Sequence, residues 1–196
     1  MRTQRRGTAA FAVCGSFCTL GTAAAAAEQL VRQGWDLLPV MSFAAAGLNT
    51  RFGRAEEWHR RLAEITGNPV LDTLQAVEPL GPRHLAQALV IAPCTGATLA
   101  RLAAGLSDTP VTLAAKSLLR VGCPVVAAVS TNDGLAASGE NIARLLQRKH
   151  YFFVPFGQDD PVQKPQSLKA DFRLLPEALE QALQGRQLQP LLRQFN

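Results

Sequence analysis

The fold is decided by residues 11–41, which run FAVCGSFCTLGTAAAAAEQLVRQGWDLLPVM. The apolar run Phe11–Cys14 predicts a short buried strand, and Gly15–Thr19 predicts a tight loop. An alanine-rich helix is indicated over Thr22–Gln33, followed by a second strand over Leu37–Met41. Because parallel neighbours require a crossover connection, this succession of strand, helix and strand predicts the first unit of a parallel sheet.

The N-terminal residues also permit a different interpretation, a secretory signal peptide. Arg2, Arg5 and Arg6 would form its charged region, residues 8–20 its apolar region and Ala23–Ala27 its cleavage site. We favour the strand, because cleavage would remove the first strand and helix that the predicted sheet needs. We therefore expect a cytoplasmic protein.

The rest of the chain continues the alternation of strands and helices. Further strands are predicted near Val70 and over Leu89–Ala92, Pro124–Val129 and Tyr151–Val154, and helices over Ala55–Thr66, Thr98–Leu106, Glu140–Lys149 and Phe172–Leu183. This pattern predicts one α/β domain over residues 1–196, a doubly wound, mostly parallel sheet flanked by helices. The polar, proline-containing segment 156–171 is expected to be a flap or ordered loop, and residues 185–196 a C-terminal tail.

Composition excludes several classes of function. Hydrophobic residues make up 47% of the chain and charged residues 18%, which is typical of a soluble α/β protein. The net charge of +5 is spread along the chain and aromatic residues are 6%, which favours small anionic ligands over nucleic acid. The apolar runs are too short to cross a membrane. The four cysteines contain no Cys-x-x-Cys pair, so we expect no metal site.

Loops that follow the predicted strands carry small and hydroxyl residues. In an open parallel sheet, ligands bind beyond the carboxyl ends of the strands, where loops enter helix N-termini. Hydroxyls and backbone amides that converge there bind phosphate. The expected phosphate-binding residues are Gly15, Ser16, Ser42, Thr95, Gly96 and Thr98. For each loop taken alone, the alternative is an ordinary turn with a capping Ser or Thr.

The sequence also narrows the kind of phosphate ligand. The dinucleotide fingerprint Gly-x-Gly-x-x-Gly is missing, because Gly15 is next followed by a glycine at Gly21. The ATP-type loop with Gly-Lys-Ser/Thr is missing as well. A mononucleotide such as FMN therefore fits the loops better than NAD or ATP.

The loop that follows the predicted strand Leu89–Ala92 begins a segment that resembles a known family. Residues 92–103, APCTGATLARLA, resemble the flavin-binding segment of the flavoprotein superfamily that includes cysteine-peptide decarboxylases and prenyl-flavin synthases. Pro93, Thr95 and Thr98 match that motif, whereas Ala97 replaces its usual asparagine. The resemblance implies a Rossmann-like flavoprotein fold and FMN as cofactor.

A closer resemblance extends over nearly the whole chain, to the B subunits of dipicolinate synthases. It rests on CGSFCT (14–19), NTRFG (49–53), EPLGP (78–82), VSTND (129–133), VPFGQ (154–158) and GRQLQP (185–190). It implies an oxidoreductase subunit that helps to make dipicolinate from a dihydrodipicolinate-level intermediate during sporulation. The implied partner is an A subunit that resembles an NAD(P)-dependent dehydrogenase, and a homo-oligomer is expected because relatives place flavin between identical subunits.

Two further positions are candidates for binding. Thr131 and Asn132 follow the fourth strand, where the decarboxylases have a Pro-Ala-Met-Asn segment, and they are expected to bind the flavin ring or a substrate carboxylate. The alternative is an Asx turn leading to Gly134. Arg51 is expected to bind a small dicarboxylate substrate through its two-pronged guanidinium, its alternative being a surface arginine.

No catalytic residue is assigned from the sequence. His59, His84 and His150 show no pairing with an acid or a nucleophile, and none matches the catalytic histidine of the decarboxylases. Two alternative functions therefore stay open. One is a non-catalytic partner subunit with a vestigial nucleotide pocket, and the other is an independent flavin-dependent decarboxylase.

Overall fold

A computed structural model describes residues 5–194 and is built around one seven-stranded sheet. Its strands are β1 (Gly7–Val13), β2 (Trp35–Met41), β3 (Leu89–Cys94), β4 (Val125–Thr131), β5 (Tyr151–Phe153), β6 (Phe156–Asp160) and β7 (Lys164–Ala170). The first five strands are parallel, in the order β2-β1-β3-β4-β5, and β7 and β6 add an antiparallel hairpin to β4. The predicted mostly parallel α/β sheet is confirmed.

Eight α-helices accompany the sheet within residues 5–194. They are α1 (Leu20–Arg32), α2 (Phe43–Gly47), α3 (Ala55–Thr66), α4 (Leu74–Val77), α5 (Gly96–Ala104), α6 (Pro110–Leu119), α7 (Ala137–Leu146) and α8 (Leu175–Leu183). Helix α1 packs beside α3 and α8, whereas α6 packs beside α4 and α5, and α5 beside α7. Helix α1 connects β1 to β2, whereas α5 and α6 connect β3 to β4 in the opposite direction across the sheet, so right-handed crossovers place α1 on one face and α5 and α6 on the other. None of the helices in the described part of the chain combines the length and the apolar character needed to span a bilayer.

The core lies along the central strands. Every residue of β3 is buried, and Phe11, Ile91 and Phe153 are fully inaccessible to solvent. Parallel strands covered on both faces carry continuous apolar runs rather than alternating ones. The continuous apolar runs make these strands recognisable in the sequence. The polar residues lie in the loops at the carboxyl ends of the strands, where a ligand can bind.

Several predicted boundaries were wrong. Strand β1 begins at Gly7 rather than Phe11, and α5 begins at Gly96 rather than Thr98. No strand forms near Val70, where Leu71 makes an isolated parallel bridge to Val40. Arg2 of the alternative signal peptide and residues 195–196 of the predicted tail lie outside the described residues, whereas β1, α1 and β2 form one edge of the sheet.

The segment 156–171 forms the β6–β7 hairpin. Strand β7 joins the end of β4 in antiparallel register, with Ser130 opposite Lys169 and Thr131 opposite Leu168. Gly134 lies against the same strand, since a Cβ there would come within 2.6 Å of the Leu168 Cβ. The hairpin is therefore fixed beside the loop that follows β4.

Candidate functional site

A cleft of about 730 Å³ opens at the carboxyl ends of the parallel strands. Its volume lies within the range of small-molecule sites. Its walls come from the loops after β1, β3 and β4, the connection between α2 and α3, and the β6–β7 hairpin. The lining residues are Gly15, Ser16, Phe17, Cys18, Thr19, Arg51, Phe52, Thr95, Gly96, Ala97, Ser130, Thr131, Asn132, Asp133, Asp159, Lys164, Ser167, Leu168 and Lys169.

A chain of hydroxyl groups joins the loop after β1, called the first loop below, to the end of β4. Thr19 Oγ1 donates to the backbone carbonyl of Ser16 at 2.9 Å, which uses its single proton. Ser130 Oγ, 3.1 Å away, therefore donates to Thr19 Oγ1, and Ser16 Oγ donates to Ser130 Oγ at 2.8 Å. Because hydroxyl protons rotate, Ser16 can redirect its proton to an anionic ligand, and Ser130 can then turn its own proton from Thr19 to Ser16.

Ser16 is not used as a helix cap. Its side chain makes no capping bond to the short 3₁₀ turn Phe17–Thr19 that leads into α1. The amides of Phe17 and Cys18 begin that turn and have no acceptor within it. The first loop therefore presents a hydroxyl and two amides to the cleft, which is the donor set that binds phosphate.

In the loop after β3, the hydroxyl groups are already used in hydrogen bonds within the protein. Thr95 Oγ1 accepts from the amide of Thr98 at 3.3 Å and so caps α5. Thr98 Oγ1 donates to Cys14 Sγ at 3.3 Å, so Thr95 donates its only proton to Thr98 Oγ1, 3.0 Å away. What remains for a ligand is the pair of first-turn amides at Gly96 and Ala97, which have no intrahelical acceptor.

Gly96 is required by close packing at this helix start. A Cβ there would lie 2.8 Å from both Asp133 Oδ1 and Thr131 Oγ1, and it would also overlap Ser138 Oγ. The absence of a side chain thus lets α5 approach the end of β4. The same approach brings the α5 amides and the β4 loop into one cleft.

The loop after β4 holds an ionised carboxylate. Thr131 Oγ1 and, at 2.8 Å, Ser138 Oγ both donate to Asp133 Oδ1. The bond from Thr131 is the main cause that lowers the pKa of Asp133, with Ser138 adding to it. Asn132 is exposed in the same loop and lines the cleft.

The β6–β7 hairpin adds two lysines to the wall of the cleft. Lys164 Nζ lies 2.8 Å from Asp159 Oδ2, and Lys169 Nζ lies 3.8 Å from Asp159 Oδ1. The hydrogen bond from Lys164 lowers the pKa of Asp159, and the same bond raises the pKa of Lys164. Asp159 and Lys164 are therefore both charged at neutral pH.

Arg51 lies on the connection between α2 and α3. Its guanidinium stacks 4.8 Å from the centre of the Phe52 ring, and both side chains are exposed. Stacking on an aromatic ring leaves the guanidinium donors free for an anion.

Comparison with known proteins decides the family. The model of the Flavoprotein family matches residues 2–164, which is most of the chain. The chain belongs to the Flavoprotein family. The B subunit of dipicolinate synthase from Bacillus subtilis (strain 168) is 43% identical over 182 residues, covering 93% of this chain and 91% of that protein. The sequence-based resemblance is therefore confirmed.

Solved structures place this flavoprotein among the same relatives. The crystal structure of the dipicolinate synthase B subunit from Bacillus halodurans C superposes with a TM-score of 0.89 at 39% identity, over 99% of both chains. The FMN-dependent cysteine decarboxylase SpaF has a TM-score of 0.68 at 24% identity, covering 93% of this chain and 99% of its own, and so shares the fold.

The flavoprotein cleft brings together most of the residues singled out in the sequence. Seven of them line it: Gly15, Ser16, Arg51, Thr95, Gly96, Thr131 and Asn132. Ser42 and Thr98 do not. Ser42 is buried and caps α2 by accepting from Ala45 N at 3.2 Å, and Thr98 is buried against Cys14. Ser42 and Thr98 therefore match the alternative prediction, hydroxyl groups that cap helices or pack within the fold.

Sequence reasoning missed several polar residues of the cleft, among them Ser130, Asp133, Lys164 and Lys169. Ser130 and Asp133 adjoin predicted positions, but their partners lie on other elements. Lys164 and Lys169 lie in a segment whose pairing partner, β4, is distant in the chain. No local pattern marks them. Among residues 5–194, no cluster of His, Cys, Asp and Glu is suited to hold a metal ion.

Proposed function

We propose that this flavoprotein is the FMN-binding B subunit of a dipicolinate synthase. It would act with a dehydrogenase-like A subunit in the cytoplasm to convert a dihydrodipicolinate-level intermediate into dipicolinate during sporulation. The observation that carries the proposal is the 43% identity to the Bacillus subtilis protein over 93% of the chain. The cleft supports it, because its donors suit a phosphorylated ligand.

The residues of the cleft fit the phosphate of FMN. Ser16 would donate its hydroxyl proton, and the amides of Phe17, Cys18, Gly96 and Ala97 would donate from two helix starts. Oriented amides stabilise a phosphate without a lysine, which agrees with the absence of lysine and arginine from residues 15–19 and 95–98. Bound FMN would supply a two-electron acceptor for a dihydro substrate.

Thr131, Asn132 and Arg51 would serve the rest of the ligand. Thr131 ends β4 and Asn132 follows it in the cleft. Asn132 can hydrogen-bond a ring or a carboxylate, and the Thr131 hydroxyl, whose proton goes to Asp133, can accept from a ring N–H. Arg51 lies at the exposed flank, where its guanidinium can hold an acidic group. Asp133, kept ionised by its two hydroxyl donors, is an acceptor for a ligand N–H.

A second candidate function is a partner subunit whose nucleotide pocket no longer binds flavin. It is favoured by Ala97, which offers no side-chain polar group, and by Thr95, whose proton is committed to Thr98. Independent decarboxylation has less support. Within the described part of the chain, no histidine lines the cleft, and His59 on α3 instead lies 3.8 Å from Asp72.

Titration of the purified chain with FMN tests the proposal, followed by flavin fluorescence and absorbance. Ser16→Glu should abolish saturable binding, because a carboxylate would be placed where the phosphate is held. Ser107→Glu is the matched control, since Ser107 lies outside the cleft beside Lys116. Absence of FMN binding, with or without the A subunit, would support the partner-only function.

Reconstitution tests the role of the complex. Co-expression of this chain with the A subunit should restore dipicolinate synthesis, measured by absorbance of the product. Full activity of the A subunit alone would contradict an obligatory role for this chain. Normal activity with Ser16→Glu would show that the complex needs the chain but not its phosphate site.

A further inference from the structure

The β6–β7 hairpin brings two ammonium groups to one carboxylate at the cleft. Lys164 Nζ lies within hydrogen-bond distance of the Asp159 carboxylate, whereas Lys169 Nζ lies 3.8 Å from it. The Lys169 side chain is 39% exposed. Of the two carboxylates of the hairpin, Asp159 lines the cleft and Asp160, which is paired with Lys164 in the strand register, does not, so the wall that the hairpin contributes carries two ammonium groups and one carboxylate.

The hairpin reaches back over the first loop. Strand β7 is joined to β4 at Ser130 and Thr131, the same residues that close the cleft from below. Cys18, in the loop after β1, lines the same cleft as Lys164 and Lys169. The two lysines therefore form part of the cleft wall, together with Thr131 and the loop after β1.

The other charged side chains that line the cleft are Asp133 and Arg51. Asp133 is satisfied by the hydroxyls of Thr131 and Ser138. Arg51 contributes a further positive charge, but its loop follows β2, and β1 and β3 separate β2 from β4. Arg51 therefore enters the cleft from a different element than the two lysines.

We propose that Lys164 and Lys169 form the carboxylate-binding subsite for a small dicarboxylate substrate, with Asp159 holding the two ammonium groups in place. The inference rests on the proposed function and assigns its substrate contacts. Lys169 donates directly to a substrate carboxylate, and Lys164 adds its remaining protons while bound to Asp159.

Binding of pyridine-2,6-dicarboxylate to the purified full chain tests this, by calorimetric titration with and without saturating FMN. Lys164→Ala and Lys169→Ala should each weaken binding about tenfold, as expected for loss of a charge-assisted hydrogen bond. The double variant should show no saturable binding. Lys169→Arg should retain most of the affinity, because it keeps the charge and the donors.

Lys149→Ala is the matched control. It removes the same charge from an exposed position just before β5, at the opposite end of the strands from the cleft. Its dicarboxylate affinity should equal that of the wild type. Circular dichroism of each variant should be unchanged, since both lysines of the subsite are on the surface.

The outcomes separate this inference from the proposed function. Dicarboxylate binding by the double variant at wild-type affinity, or no binding by the wild type, would overturn the subsite. Loss of dicarboxylate binding in the lysine variants with FMN affinity unchanged would support it. Lysine-dependent dicarboxylate binding by a chain that takes up no FMN would support the subsite while refuting the flavin function.

Discussion

The hydroxyl oxygens of Ser16 and Ser130 lie 2.8 Å apart although 114 residues separate them in the chain. Their contact links the loop after β1 to the end of β4, across the intervening strand β3. The chain of hydroxyls then returns through Thr19 to the Ser16 carbonyl. Ser130 and Thr19 thus hold both the side chain and the backbone of Ser16, so the geometry of the phosphate site depends on a strand that contributes no amide to it.

Ser130→Ala should therefore weaken FMN binding without changing the fold. Removal of the hydroxyl leaves Ser16 without its buried partner, and loss of one hydrogen bond corresponds to about fivefold in affinity. The measurement is the same FMN titration. Ser130→Thr, which keeps the hydroxyl, should bind nearly as well as the wild type. Equal affinity of the alanine variant would show that Ser16 is placed by its backbone alone.

Gly96→Ala should lower stability. The added Cβ would meet Asp133 Oδ1 and Thr131 Oγ1 at 2.8 Å, so α5 must move away from the end of β4. Overpacking of this kind costs about 1–3 kcal/mol in free energy of unfolding, which urea denaturation would measure.

Gly21→Ala is the control for that substitution. Gly21 lies within α1, and no atom comes within 4 Å of the position that an added Cβ would take. Alanine has the higher helix propensity, so this variant should be as stable as the wild type or more so. Equal stability of Gly96→Ala and Gly21→Ala would contradict the close approach of α5 to β4.

The parallel strands could be predicted from the sequence because each is a local apolar run. Strand β3, buried at every position, was found, although its end was placed at Ala92 rather than Cys94. Strand β1 was shortened because Gly7 and Thr8 carry no apolar signal, and it is the pairing with β2 that extends it to Gly7. Helix α6 was missed despite a usable signal, Thr109 as cap and Pro110 at the first turn.

Site residues could be predicted where they directly follow a strand in the sequence. They could not be predicted where strand pairing brings them to the cleft. Ser16 and Gly96 were found because they follow strands. Whether a hydroxyl caps a helix or faces a ligand depends on tertiary contacts, which is why Ser42 was grouped with Ser16. Lys169 faces the cleft because its strand pairs with Ser130, and a polar segment with three nearby prolines carries no sign of that register.

Cys18 should be the first cysteine to react with iodoacetamide at pH 8. Its side chain is exposed in the cleft, whereas burial raises the pKa of Cys14 to about 11 and that of Cys94 well above its usual value. The thiolate is the reactive form, so both buried thiols should be inert in the folded chain. Mass spectrometry of the labelled peptides would measure this.

Ligands of the cleft should protect Cys18 from that labelling. Saturating FMN should slow modification of Cys18 severalfold and leave the slow labelling of the half-buried Cys123 unchanged, because Cys123 lies outside the cleft. Urea should expose all four cysteines. Labelling of Cys18 at the same rate with and without bound FMN would place the flavin elsewhere.

Asp171 should make stability depend on pH in the acid range. It is 5% exposed and accepts two hydrogen bonds of 2.8 Å from the Arg173 guanidinium. These bonds are the main cause that lowers the pKa of Asp171 below the usual value of 3.8. Since the unfolded chain then binds a proton more readily than the folded one, this contribution is complete above about pH 4 to 5. It is lost as the pH falls through the lower folded pKa.

Asp171→Asn should therefore destabilise the protein by about 1–2 kcal/mol at pH 7 and flatten the acid limb of its stability curve. Urea denaturation from pH 3 to pH 7 would measure both effects. Asp108→Asn is the matched control, because the Asp108 carboxylate lies in an exposed pair, 3.4 Å from Arg101 Nε. Exposed pairs contribute little, so its curve should follow that of the wild type. If the acid limb of Asp171→Asn were as steep as that of the wild type, the pH dependence would come from other carboxylates. Asp159, which is paired with Lys164 beside the cleft, would then be the next carboxylate to replace.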